Sequence, residues 1–340
     1  MSINKDVLLT CKGQYIMFKP YKDNPIISRT NNTFYSKHVA NPDILLFKNK
    51  LFLYFRGQGE TCHDQIGVFY TSKETFDGVT WLQYENNPII KISSKEDAFD
   101  NRHILDPATV VMDNKVYLYY SGHSYHQKAG IGLAISEDGF SFNKYSNKPI
   151  IENAIAPEVV IKDNIVYLFY QKKVKKDVFS FFCCTSTDGL TFNISDEFLV
   201  FTPSNIKETF DSYSISTMRI LKENDTYYMT YGGCEKFADY PIAFGLAKSS
   251  DLINWKRYEN NPIYKRGKAS TWDEGAIWFG TLYKHKNTYY MWYEGTGVGN
   301  PLITNKALSD SKLCRNTDYG GYATSSFSQI GLATYNGKLF

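Results

Sequence analysis

The chain lacks a strong bias of charge. Its 340 residues carry 38 Lys and Arg against 35 Asp and Glu, a formal net charge of +3, and the two signs are interspersed. Nucleic-acid-binding proteins usually carry a basic patch or stripe, and no such block occurs here. The sequence therefore does not favour a nucleic-acid partner.

Cysteine is scarce, and its spacing does not suggest a metal site. The six cysteines, at positions 11, 62, 183, 184, 234 and 314, form no C-x-x-C motif and no zinc-binding spacing. We interpret all six as reduced thiols, which indicates a reducing compartment.

Long apolar runs and helical periodicity are also missing. No run approaches the ~18 residues that a membrane span requires, and the first residues, MSINKDVLLTCKGQYIMF, lack the continuous apolar core of a secretory signal. We therefore expect no membrane partner and a cytoplasmic location. Because no segment has a helical period, the chain is expected to be all-β.

Aromatic residues are abundant, with 27 Tyr, 23 Phe and 5 Trp. Tyr and Phe favour strands, and here many of them fall in one motif that recurs five times. The copies are KLFLYF (50–55), KVYLYY (115–120), IVYLFY (165–170), TYYMTY (226–231) and TYYMWY (288–293).

Each copy belongs to a larger repeat. Another apolar strand precedes it, and in most copies two more follow, so that one repeat has four short strands in ~60 residues, the pattern of a propeller blade. The sequence therefore predicts an all-β, five-bladed β-propeller with four-stranded blades, forming a single domain over residues 1–340. The segment 15–28 resembles a fourth strand and 329–337 a third, so we expect the N-terminal strand to close the last blade.

The innermost strand of each blade should line a central channel. We take as register position the residue thirteen before the last residue of each motif, which is a Pro in the first three blades: Pro42, Pro107, Pro157, Met218 and Gly280. Residues on either side of it are predicted to face the channel. They include the carboxylates Asp43, Asp106 and Glu158 and the cation Arg219.

Three carboxylates in one channel suit acid–base chemistry. They raise one another's pKa, so that one can stay protonated while another is ionised, as glycoside cleavage requires. The alternative is structural, because Asp before Pro is also a common turn device. Arg219 either neutralises the acids or contacts the substrate.

Five further residues are candidates for substrate binding. His38 and His103 each lie four residues before a register Pro and predict a pocket wall, unless they are hydrogen-bonded structural histidines. The segment TWDEGAIW (271–278) offers Trp272 as a sugar platform and Asp273 and Glu274 as hydroxyl acceptors, or else forms a rim loop.

These repeats resemble the five-bladed β-propeller glycoside hydrolases, a group that includes family 43, the invertase-like enzymes and the mannoside phosphorylases of family 130. The motif LDP (105–107) matches the blade-2 motif of family 43. The resemblance implies Asp43 as general base, Asp106 as the residue that tunes the acid, and Glu158 as general acid. The chain departs from the family pattern where Asn41 directly precedes the blade-1 Pro and Ile155 lies two residues before the blade-3 Pro.

The predicted function is therefore that of a family-43-like glycoside hydrolase acting on a small oligosaccharide, with inversion. The alternatives are a phosphorylase of the same fold, with phosphate near Arg219, and a non-catalytic carbohydrate-binding propeller. No cofactor and no catalytic metal are predicted, a structural calcium ion in the channel being left open. The sequence names neither the sugar nor the oligomeric state.

Overall fold

The protein is built from five antiparallel sheets and has no α-helix in the residues described. The computed structural model describes residues 17–297 and 327–340, and each sheet follows the chain from an inner to an outer strand. The predicted five-bladed propeller is confirmed. The extension of one domain over all of residues 1–340 stays a prediction.

The first three blades follow one another along the chain. Blade 1 consists of β2 (His38–Phe47), β3 (Lys50–Gln58), β4 (Asp64–Ser72) and β5 (Leu82–Gln83). Blade 2 consists of β6 (His103–Met112), β7 (Lys115–His123), β8 (Gly130–Ser136) and the short outer strands β9 (Asn143–Lys144) and β10 (Ile151–Glu152). Blade 3 consists of β11 (Ile155–Lys162), β12 (Ile165–Lys175), β13 (Val178–Ser186) and β14 (Phe198–Phe201).

The last two blades bring the chain back to its start. Blade 4 consists of β15 (Ser214–Glu223), β16 (Thr226–Cys234), β17 (Ala243–Ser249) and the outer strands β18 (Lys256–Arg257) and β19 (Tyr264–Lys265). Blade 5 consists of β20 (Ile277–His285), β21 (Thr288–Thr296), β22 (Ser328–Asn336) and β1 (Lys19–Pro20).

The outer strands are shorter than the sequence suggests. In blade 3 the segment LTFNIS (190–195) has the pattern of a fourth strand, but these residues lie outside any strand and lead into a 3₁₀ helix (Ile194–Asp196), which β14 follows. The side chain of Asn193 caps this helix by accepting a hydrogen bond from the amide of Ser195, which gives the backbone an alternative to the sheet.

The N-terminal strand closes the propeller, as expected. Lys19 pairs with Thr334 and Pro20 with Ala333 on β22, and Phe18 is fully buried in the core between blades 4 and 5. Tyr15 and Ile16 of the predicted segment lie outside the described residues. Because the first and last parts of the chain share a sheet, the ring has no open seam at that blade.

Every innermost strand carries the same irregularity. The pairing with the second strand shifts at the register position in all five blades. The residue before that position has a left-handed backbone in each, with φ between 42° and 57°: Asn41, Asp106, Ala156, Thr217 and Phe279. These are β-bulges, which re-aim side chains and free backbone groups from the ladder.

Three of the cysteines are free thiols, as predicted, and one is not. Cys183, Cys184 and Cys234 are free and buried, and Cys183 and Cys184 pack into different cores, as their alternation on β13 predicts. Cys62 is disulfide-bonded, so the prediction of a reduced thiol is wrong for this residue. Cys11 and Cys314 lie outside the described residues.

Within the described ranges, no helix is long and apolar enough to cross a membrane.

Candidate active site

Arg219 lies at the axis of the channel, where the blades meet. Its guanidinium donates to the carbonyl oxygens of Pro42 (3.4 Å), Pro107 (2.7 Å) and Pro157 (3.1 Å), which are the register residues of the first three blades. It also lies 4.4 Å from the ring centroid of Phe279. The side chain is 2% exposed. This geometry favours the neutralising role over substrate contact, because the donors already have partners.

Asp43 and Glu158 flank Arg219 and are held by neighbouring blades. The Nε atom of Arg219 lies 3.6 Å from Oδ1 of Asp43, and Nη1 lies 3.1 Å from Oε2 of Glu158. Oδ2 of Asp43 accepts hydrogen bonds from the amide and hydroxyl of Thr109, at 2.9 and 2.5 Å. Oε1 of Glu158 accepts from the amide of Ile220 at 3.0 Å. Both carboxylates thus bridge adjacent blades.

Burial raises the pKa of both of these carboxyl groups, against the lowering effect of Arg219. For Glu158 burial and the nearby Asp43 raise the pKa to about 8, and burial raises the pKa of Asp43 as well. The structure therefore brings Asp43, Glu158 and Arg219 together in the channel. Both carboxylates are bonded to Arg219 and to neighbouring strands.

Asp106 lies in a different layer of the channel. It is the residue before the register position, whereas Asp43 and Glu158 follow it, so Asp106 is nearer the end at which the innermost strands begin, here called the upper end. Its Oδ2 accepts a hydrogen bond from the hydroxyl of Ser121 at 2.7 Å. The bulge separates the two flanking positions, so the three predicted acids share the channel but not one depth.

The environment of Asp106 brings the pKa of its carboxyl group close to neutral pH. Burial and the nearby carboxylate of Asp239 raise its pKa to about 7, against the hydrogen bond from Ser121 and the charges of Arg56 and Arg219. A carboxyl group with a pKa near the working pH can act as a general acid.

Asp239 is a carboxylate that the sequence analysis missed. It lies in the connection between β16 and β17, accepts a hydrogen bond from the Ser216 hydroxyl, and interacts with Trp278 and Gln171. Burial raises its pKa despite these hydrogen bonds. No repeat spacing marks this position, because the connection is irregular and differs among blades.

A charged network surrounds the upper end. The guanidinium of Arg56 lies 3.6 Å from Asp64 and 3.4 Å from Glu294. Glu294 accepts hydrogen bonds from the amide and side chain of Asn41, at 3.2 and 3.0 Å. Although burial opposes it, Arg56 and His103 hold the pKa of Asp64 well below its usual range.

The two predicted wall histidines are both buried near the upper end. Nδ1 of His103 lies 2.7 Å from Oδ2 of Asp64. Nδ1 of His38 accepts from the amide of Ser328 at 3.2 Å, and burial lowers the pKa of His38 to about 3. His38 is therefore neutral and hydrogen-bonded within the protein, which favours the structural alternative for this residue.

Trp272 and Asp273 belong to a structural repeat. Trp272 packs against Gly295 of β21 and Gly331 of β22, where any Cβ would lie within 2.7 Å of the indole. Asp273 accepts a hydrogen bond from the hydroxyl of Tyr293 at 2.9 Å. Blades 2 and 4 repeat both features with Phe99 and Phe210 over glycines and with the pairs Asp100–Tyr120 and Asp211–Tyr231.

This repeat favours the structural alternative for TWDEGAIW. The aromatic residue lies eight positions before the register residue in each case, as in AFD (98–100) and TFD (209–211). It covers the glycines of the second and third strands, so packing accounts for Trp272 and favours a structural role over that of a sugar platform. Glu274 differs, because its Oε1 is buried without a hydrogen-bond partner among the described residues.

A cation-lined cavity of about 500 Å³ opens beside the channel, between blades 2 and 3. Gln171, which also reaches Asp239, forms part of its wall. The lining contains four basic side chains and, among the described residues, no carboxylate: Arg102, Lys128, Lys172 and Lys173. Glu197, outside the lining, already pairs with Lys172, whose Nζ lies 2.8 Å from both of its carboxylate oxygens. Such a site suits an anion.

Over residues 17–297 and 327–340, no group of three or more His, Cys, Asp or Glu side chains is placed to hold a metal ion.

Comparison with known proteins gives one family match. The model of glycoside hydrolase family 130, described as beta-1,4-mannooligosaccharide phosphorylase, matches residues 155–302. No curated relative matches the chain.

Solved structures extend the likeness to the whole fold. An N-acetylgalactosamine deacetylase from F. plautii, in complex with blood group B trisaccharide, has 15% identity and a TM-score of 0.70, covering 94% of this chain and 95% of that one. The beta-1,2-mannobiose phosphorylase from Listeria innocua has 12% identity and a TM-score of 0.67, with 93% and 96% covered. A thermostable family-43 glycoside hydrolase has 15% identity and a TM-score of 0.62, with 90% and 92% covered.

The resemblance to the propeller glycoside hydrolases and phosphorylases is confirmed. These comparisons do not separate hydrolysis from phosphorolysis, since both kinds of enzyme share the fold. A carbohydrate substrate is implied by the group as a whole.

Proposed function

We propose that the protein cleaves a glycosidic bond at the upper end of the channel, with Asp106 as proton donor. The observation that carries this proposal is the position of Asp106: its pKa is raised to about 7, and among the described residues its Oδ2 accepts one hydrogen bond, from Ser121. Asp43 and Glu158 are each bonded to Arg219 or to a neighbouring strand. Catalytic roles for those two stay predictions.

Phosphate is the nucleophile that we favour. The cation-lined cavity includes Gln171, which also hydrogen-bonds Asp239, so an anion bound there would lie beside the channel. In the proposed reaction Asp106 gives its proton to the leaving oxygen, the bond from that oxygen to C1 breaks, and a phosphate oxygen bonds to C1. The products are a sugar 1-phosphate and a shortened sugar, and Asp106 is left as a carboxylate.

Hydrolysis is the second candidate, and Asp239 supports it. Two carboxyl groups that interact electrostatically, Asp106 and Asp239, meet the need of an inverting hydrolase for one acid and one base. In that reaction Asp239 would take a proton from the attacking water while Asp106 protonates the leaving oxygen.

The substrate class that we propose is a β-mannoside oligosaccharide. The support is the family model described as beta-1,4-mannooligosaccharide phosphorylase, which matches 155–302, and this match favours family 130 over family 43. A cytoplasmic location stays a prediction, and the disulfide bond of Cys62 weighs against it.

The test incubates the wild-type protein with β-1,4-mannobiose or β-1,2-mannobiose, with and without phosphate. Formation of mannose 1-phosphate only with phosphate supports phosphorolysis, and release of mannose alone in either condition supports hydrolysis. Arg102→Gln should raise the KM for phosphate about tenfold, since a charged hydrogen bond contributes about 1.5–3 kcal/mol. Lys176→Gln, an exposed cation outside the cavity lining, is the matched control. No cleavage of either disaccharide, or of a panel of other oligosaccharides, would contradict the proposal.

A further inference from the structure

The connection between β16 and β17 contacts the channel on one side and a second cavity on the other. This loop, residues 235–242, sends Asp239 toward the channel, where it meets Ser216 and Gln171. On its other side, Phe237 and Tyr240 line a second cavity of about 500 Å³. A ligand in that cavity would therefore lie one loop away from the proposed point of cleavage.

A row of aromatic rings joins this cavity to the channel wall. Phe237 meets Tyr240 edge-on at 6.3 Å and 89°, and Tyr240 meets Trp278 edge-on at 6.4 Å and 88°. Trp278 and Tyr240 are 5% and 7% exposed, whereas Phe237 is 38% exposed. The two inner rings thus hold the outer ring in place, and part of its surface faces the cavity.

Polar groups converge on the same cavity. Arg266 donates to the carbonyl oxygen of Gly275 at 2.8 Å and also bonds the hydroxyl of Tyr240. Oε2 of Glu274 accepts from the amide of Ser270, while its Oε1 is buried with no partner in the part of the chain described. A buried carboxylate oxygen without a donor is costly unless a ligand supplies one.

The charges of this cavity are balanced, unlike those of the cation-lined cavity. Its wall holds two acids and two cations, Glu235, Glu274, Lys236 and Arg266. A neutral ligand with hydroxyl donors is the best fit, because it brings no unpaired charge and can donate a hydrogen bond to the carboxylate of Glu274, which lines the cavity. A sugar ring adds an apolar C–H face that packs on an aromatic ring, and the volume lies within the usual range of ligand sites.

We propose that this cavity, formed by loop 235–242 and residues 266–275, binds a further neutral sugar unit of an oligosaccharide substrate. Phe237 packs on the sugar face, and Glu274 accepts a hydrogen bond from a hydroxyl. This inference rests on the proposed function, because it places the unit beside the bond that Asp106 is proposed to cleave. It makes the loop a determinant of chain-length preference.

The experiment compares kcat/KM for β-1,4-mannotriose with that for an aryl β-mannoside, which has a single sugar. Phe237→Ala and Glu274→Gln should each lower the ratio of the two values about tenfold, which corresponds to about 1.4 kcal/mol. Tyr145→Ala, at another exposed aromatic residue that lines neither cavity, should leave the ratio as in the wild type. A ratio unchanged in both variants overturns the inference.

A second measurement separates this inference from the proposed function. If no substrate is cleaved, calorimetric titration of β-1,4-mannotriose into the wild type and into Phe237→Ala tests whether the sugar site exists. Binding that Phe237→Ala weakens about tenfold supports the sugar site even though the cleavage proposal has failed. No binding to the wild type, or equal binding to both proteins, overturns it.

Discussion

Arg219 lies on the channel axis, and polar groups of several blades bond to its guanidinium. It bonds carbonyl oxygens from three other blades and two buried carboxylates. Removing one partner of a buried ion pair typically costs about 3–5 kcal/mol, because the remaining charge is left uncompensated. Its role follows from this geometry: it holds the blades together around their common axis.

We predict that Arg219→Met lowers the free energy of unfolding by about 3–5 kcal/mol. Chemical denaturation of the variant and the wild type measures the difference. Lys256→Met, which removes an exposed cation from the outer strand β18, should change it by less than about 0.5 kcal/mol. Equal stability of the wild type and Arg219→Met would show that the guanidinium of Arg219 does not stabilise the fold.

The sequence predicts some of the channel residues and not others. Asp43, Asp106, Glu158 and Arg219 could be predicted because each flanks a register position of a repeated strand. Asp239 could not, since it lies in a connection whose length and pattern no other blade shares. A tertiary contact between such a loop and the channel leaves no periodic signal in the chain.

At the level of elements, the bulge in each innermost strand is the feature that positions the site. It places the residue before the register position in a left-handed conformation, which costs non-glycine residues about 1–2 kcal/mol. The freed amides bond neighbouring blades: Asn41 to Glu294, Ala156 to Ser121 and Thr217 to Gln171. The bulge therefore links the blades while it turns Asp106 toward the upper end.

We predict that Ala156→Gly has almost no effect on the free energy of unfolding. Glycine adopts the φ of 49° at this position without strain, which offsets its greater flexibility in the unfolded chain. Ala108→Gly, on an extended part of β6, should lower stability by about 1 kcal/mol. Thermal or chemical unfolding of both variants checks the difference, and an equal loss would argue against strain at the bulge.

The aromatic–aspartate repeat shows a signal that was present in the sequence. Phe99, Phe210 and Trp272 all lie eight residues before a register position, and an Asp follows each. Aligning the connections between blades would have identified TWD as a structural unit. The signal in the connections is weaker than that in the strands, whose hydrophobic pattern recurs over more residues.

At the level of the whole molecule, closure depends on a two-residue strand and the residues that lead into it. Met17 and Phe18 donate their amides to the carbonyl oxygen of Ile263, and Phe18 is fully buried. The fold, including this closure, could be predicted from the sequence because five copies of one pattern and two matching chain ends repeat the same information. Strand lengths could not, since pairing at an outer edge depends on the neighbouring connection.

We predict that Phe18→Ala lowers the free energy of unfolding by about 3–5 kcal/mol, the usual cost of truncating a buried aromatic residue. Lys19→Ala, at the adjacent exposed position, should change it by less than about 0.5 kcal/mol. Both are measured by chemical denaturation. If the two variants unfold alike, the N-terminal strand does not contribute to closing the ring.

The pH dependence of kcat/KM on an unactivated oligosaccharide, for the wild type and Asp106→Asn, tests the central claim most directly. A general acid must be protonated, and the pKa of Asp106 is raised to about 7 by its burial and by Asp239. The wild-type rate should therefore be level below that pH and fall about tenfold for each unit above it. Asp106→Asn should be ~10²–10⁴-fold slower and lack this alkaline fall. An unaltered rate and profile in Asp106→Asn would contradict the account.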